Sequence, residues 1–68
     1  MDSSHQIQLA EIYQNGLVVF DNDEQSFFNW LNTNVPVLGN RKPIDMVTTS
    51  VGRSQVNEQL MRMEFSII

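Results

Sequence analysis

With 68 residues the chain has room for one small domain, whose core is worth only about 3–5 kcal/mol net. It has no cysteine and a single histidine, His5, which excludes a disulfide staple and an ordinary zinc or iron–sulfur site; a protein partner or self-association would have to supply further stability. Four Lys and Arg against eight Asp and Glu, a net charge of −4, exclude the basic surface on which nucleic-acid affinity rests. No apolar run approaches the ~20 residues of a membrane span, and no charged-then-apolar signal peptide is present, so a soluble cytoplasmic protein is expected.

The first predicted element is a helix on which Leu9, Ile12, Tyr13, Leu17 and Phe20 share one face, with Ser3 or Ser4 as its cap. Gly16 interrupts it and marks either a close helix crossing or a weak point. Asn22-Asp23-Glu24-Gln25 then supplies a second start, with Asn22 as cap, Gln25 at the capping-box position and two acids on the positive dipole end. The helix from about Asp23 to Asn32 carries Phe27, Phe28, Trp30 and Leu31 over more than half its circumference. It is therefore expected to be the most buried element, with Trp30 as core anchor.

From Asn32 to Lys42 the composition is that of an ordered turn-rich loop, pinned to the core by Val35, Val37 and Leu38. Gly39 and Asn40 both tolerate positive φ, so a reversal there needs no strain. Pro43 fits the first position of a short helix ending near Thr48 or Thr49. The last helix follows a junction capped by Ser50, Gly52 or Ser54, and places Val56, Leu60 and Met63 on one stripe, with Ile67 in line. Met61, Phe65 and Ile68 form a second apolar stripe, for which ordinary packing and a surface for another protein are equally open readings. The end, Phe65-Ser66-Ile67-Ile68, is a short apolar tail that fits a helical or an extended course.

Enzymatic constellations are hard to assemble from these residues. His5 has no second histidine or cysteine to work with, and neither phosphate-loop pattern occurs. Asp21, Asp23 and Glu24 are close enough for a cation, but cap and dipole roles explain them more simply. Arg41 and Lys42 are the only adjacent bases. The expectation is a non-enzymatic chain without cofactor or metal.

Several pieces of this chain together resemble a known family. Phe20-Asp21 ahead of the acidic cap, Trp30-Leu31-Asn32-Thr33, Leu38-Gly39-Asn40-Arg41-Lys42-Pro43-Ile44, Thr49 with Gly52, then Val56, Leu60 and Arg62-Met63-Glu64 look like the C-terminal toxin-binding domain of the Xre/MbcA/ParS antitoxins. The likeness spans roughly Leu9 to Ile67, in the family's order and spacing. It departs from the family pattern at Phe27, Asn34, Asn40 and Ser66. No helix-turn-helix domain stands ahead of Leu9, so autonomous DNA binding is not expected.

The resemblance implies a compact all-α domain, a bundle of about four helices, which binds and neutralises the cognate toxin of a bacterial type II toxin–antitoxin pair. Family toxins are related to ADP-ribosyltransferases, usually of the RES type, and consume NAD or modify targets with it; the antitoxin occludes the active site with its C-terminal helix region contributing. On this reading residues 1–68 form one toxin-binding domain. Its expected toxin contacts are Arg41, Lys42, Met61, Arg62, Glu64, Phe65, Ile67 and Ile68, with the apolar members as dry anchors and the charges at the rim. The alternative is an oligomerisation or protein-interaction module without neutralising activity, a homodimer using the Met61 and Phe65 stripe.

Overall fold

The computed structural model describes residues 7–65, with side chains through Glu64. Among them the chain forms α1 (Leu9–Val19), α2 (Glu24–Leu31), α3 (Pro43–Met46) and α4 (Ser50–Phe65), with a 3₁₀ turn at Pro36–Leu38 between α2 and α3. The described residues form no strand, only an isolated bridge between Val35 and Arg41, so the all-α expectation holds. The expectations for Ser3, Ser4, His5, Ser66, Ile67 and Ile68 lie outside the described residues.

α1 is capped by Gln8, whose amide donates to the Glu11 carboxylate at 2.9 Å. It closes in a Schellman arrangement: the Asn22 amide reaches the Leu17 carbonyl at 2.7 Å and the Asp21 amide the Val18 carbonyl at 3.2 Å. Asp21 and Asn22 both take positive φ, 57° and 64°. Asn22 is thus spent on ending α1, and Asp23 caps α2 in its place. Its carboxylate accepts from the Ser26 amide at 3.2 Å and the Ser26 hydroxyl at 2.8 Å. The hydroxyl, then the amide, holds the Asp23 pKa below the usual carboxylate value.

The core consists of Ile12, Phe27, Leu31, Val35, Leu38, Met46, Val47, Val56 and Leu60. α2 presents only Phe27 and Leu31 to it, an i, i+4 pair, because eight residues offer one buried face. Phe27 is the fully buried anchor, and Trp30, half-buried, leans on Phe20 with ring centroids 6.1 Å apart. Phe28 turns outward beside Tyr13, so α2 is not the most buried element. α3 takes that place, with Pro43 and Met46 buried among its four residues, while α4 contributes Val56 and Leu60, fully buried one and two turns on from buried Gly52. Met63 and Met61 both pack half-buried against the core, so the second stripe of α4 is partly covered.

Two glycines set how closely the helices approach. A Cβ on Gly16 would overlap the Phe27 ring, so Gly16 marks the crossing of α1 over α2. At Gly52 it would overlap the Met46 carbonyl oxygen, where the end of α3 meets the start of α4. α4 begins with none of the three expected caps: the Thr49 hydroxyl accepts from the Gly52 amide at 3.0 Å. α1 packs chiefly on α4, and polar ties reinforce that seam. Asn15 donates to the Asn57 side-chain oxygen at 2.6 Å, while Arg53 reaches the Ile7 carbonyl through Nε at 2.8 Å and the Val47 carbonyl through Nη1 at 3.0 Å.

Candidate toxin-binding face

The loop between α2 and α3 is tightly specified. Gly39 and Asn40 sit at φ 77° and 59°, the Asn40 amide donates to the Val35 carbonyl at 3.0 Å, and the Val35 amide to the Arg41 carbonyl at 3.1 Å. Val35 and Leu38 point into the core, while Val37, expected to help pin the loop, is exposed. Arg41 is therefore mounted on a backbone that cannot easily move. Its side chain is held too, since Nε donates to the Leu38 carbonyl at 3.1 Å. The terminal guanidinium nitrogens meet no protein acceptor among the described residues, leaving a forked donor on an exposed residue.

Arg41 faces α4 across a groove of about 320 Å³ lined by Val37, Leu38, Gly39, Gln55, Glu58, Gln59 and Arg62. Arg62 pairs with Glu58 at 3.0 Å on this exposed face, an ion pair that orients both chains and stabilises little. A second groove of about 320 Å³ continues the face past Arg41 and Gln55 to Asp45, Thr48, Thr49 and Val51. Of the expected contacts, the fold brings Arg41 and Arg62 together. Lys42, Met61 and Glu64 line neither groove; Phe65 ends α4, and Ile67 and Ile68 lie outside the described residues.

Sequence reasoning misses the other lining residues of α4, although a signal exists. Val51, Gln55, Glu58, Gln59 and Arg62 recur at i, i+4, i+7, i+8 and i+11, a second helical face whose mixed polarity hides it from a search for apolar stripes. Among the described residues there is no group of three or more His, Cys, Asp or Glu placed to hold a metal. No described helix is long and apolar enough to cross a membrane. The face can offer hydrogen bonds, charge and two exposed valines.

The family profile of the antitoxin Xre/MbcA/ParS C-terminal toxin-binding domain matches residues 16–65, well over half of the chain. The chain belongs to this family. As an Xre/MbcA/ParS toxin-binding domain it has an antitoxin's role, and its partner is a toxin. The matched region contains both grooves and the whole of α2, α3 and α4, but begins within α1, after Leu9, Ile12 and Tyr13. No curated protein and no solved structure matches the chain.

Proposed function

We propose that this domain neutralises a RES-like, NAD-consuming toxin of a bacterial type II pair by covering its active site, acting in the cytoplasm and without chemistry of its own. The observation that carries the location is the prepositioned Arg41 fork, sharing a groove with Arg62. A guanidinium whose backbone and Nε are already fixed loses little further freedom on meeting a carboxylate, so it is suited to anchoring a partner. Met61, Glu64 and Phe65, on the same helix as Arg62, and Ile67 and Ile68 after it in the sequence complete the proposed contact set. Lys42, next to Arg41, adds positive charge at the rim.

The decisive experiment is co-expression with the protein encoded in the adjacent reading frame. Rescue from growth arrest together with recovery of cellular NAD is the expected result. Both proteins soluble without rescue would refute the reading. Deletion of Phe65 to Ile68 is expected to abolish neutralisation while leaving helix content nearly intact, and retained neutralisation would remove the tail from the site.

A further inference from the structure

Of the seven asparagines in the chain, Asn15 alone is followed by glycine. The pair sits in the body of α1, where that helix crosses α2 and is tied to α4. An asparagine side chain is open to attack by the backbone nitrogen of the next residue. Glycine, with no Cβ to hinder the approach, is the follower that allows this most readily, and asparagine ranks among the thermolabile residues for such reasons. The fold admits no slower neighbour, because a Cβ at position 16 would overlap the ring of Phe27, the fully buried anchor of the core. Packing thus imposes the reactive pair.

The folded domain also protects it. Within α1 the Gly16 amide donates to the carbonyl four residues back, that of Ile12. Helical backbone torsions hold the Gly16 nitrogen away from the Asn15 side-chain carbon. The Asn15 amide nitrogen is itself engaged, donating to the Asn57 side-chain oxygen at 2.6 Å. All three restraints lapse together when α1 leaves α4 and unwinds.

We propose that Asn15-Gly16 is a modification site at which deamidation of the opened chain makes unfolding a one-way step. The Gly16 nitrogen, having lost its proton to solvent base, bonds to Asn15 Cγ; the Cγ–Nδ2 bond breaks and ammonia leaves, closing a succinimide ring. Water then opens the ring. Attack at Cγ leaves an aspartate, and attack at the main-chain carbonyl leaves an isoaspartate, whose backbone runs through Cβ and Cγ. One water is gained and one ammonia lost, with no oxidant or cofactor. An aspartate can be met by turning the Asn57 amide so that its nitrogen donates. An isoaspartate cannot, because its extra backbone atom breaks the helical hydrogen-bond register and moves position 16 off the Phe27 ring. Chemical change in the unfolded chain then blocks its return, and a partner that binds the folded domain delays the step by mass action.

Peptide-mapping mass spectrometry of the whole chain, held at mildly alkaline pH in buffer and in guanidinium chloride, tests the assignment. In denaturant Asn15 is expected to react ahead of the other asparagines. Gly16→Ala should slow it there by roughly tenfold or more, since a Cβ beside the attacking nitrogen hinders ring closure; this comparison does not require the variant to fold. In buffer the parent should react about 10²–10⁴-fold more slowly, following the unfolded fraction that so small a core leaves. Chain aged in denaturant and returned to buffer should lose helical circular dichroism in proportion to its isoaspartate content. Equal rates in buffer and denaturant, another asparagine reacting first, or full refolding of the isoaspartate-bearing chain would each overturn the inference.

Discussion

An alanine at Gly52 would press its Cβ on the Met46 carbonyl oxygen, backbone that cannot yield, whereas at Gly16 it would meet the Phe27 ring. Both substitutions improve helix propensity by about 1 kcal/mol, and both are expected to destabilise by a net ~1–3 kcal/mol through overpacking, Gly52→Ala more than Gly16→Ala. Urea denaturation followed by circular dichroism checks the order; a stabilised Gly52→Ala would mean that the Met46 carbonyl yields to the added methyl. Tyr13 provides a titratable counterpart. Its hydrogen bond to Glu24, then burial, then the carboxylate's charge raise its pKa. The stabilisation is therefore fully present below the unfolded tyrosine value, about 10, and is lost as pH rises through the higher folded value. Melting temperatures in Tyr13→Phe should fall less steeply than in the parent across that alkaline range. Equal slopes would show that the bond to Glu24 does not persist in solution.

The starts of α2 and α4 each fall one residue from an expected cap. Asn22 and Asp23 are equally good caps by type, and the choice falls to Asp23 because Asn22 supplies a left-handed residue to close α1. At the start of α4 the sequence reading offers Ser50, Gly52 and Ser54, and the cap used is instead Thr49, three before Gly52, whose close approach to Met46 fixes where α4 starts. Local chemistry thus announced that helices begin near these points, and packing chose the residue. Thr49→Ala should remove the α4 cap and about 1 kcal/mol of stability, read as a lower urea midpoint with unchanged slope. Arg53 was invisible as a structural residue, because its two acceptors are backbone carbonyls of Ile7 and Val47 that no side-chain pattern reveals. Arg53→Met keeps the aliphatic stem and loses both bonds, for an expected ~2 kcal/mol; a neutral result in denaturation would make the staple dispensable.

At the scale of the molecule, the four-helix architecture and the Gly39-Asn40 reversal could be read from caps and periodicity, but the face could not. Arg41 and Arg62 stand out as charges in the chain, yet only the docking of the loop on α4 sets them across one groove. Binding and stability should accordingly separate. Arg41→Ala combined with Arg62→Ala is expected to weaken toxin binding about tenfold or more in calorimetry, while stability falls by only about 1 kcal/mol for the lost Arg41 bond to the Leu38 carbonyl; unchanged affinity would take the toxin off this face. A further consequence lies in the seam between the first and last helices. Its side-chain ties, Asn15 to Asn57 and Arg53 to Ile7, join residues 42 and 46 positions apart in a chain of 68. Chain closure must precede the contacts that reward it, so no stretch of neighbouring helices is worth populating alone. Refolding should be single-exponential and slow for a helical protein of this length, and a protease cut within α4 should release the whole chain at once, leaving no folded remnant to retain the toxin.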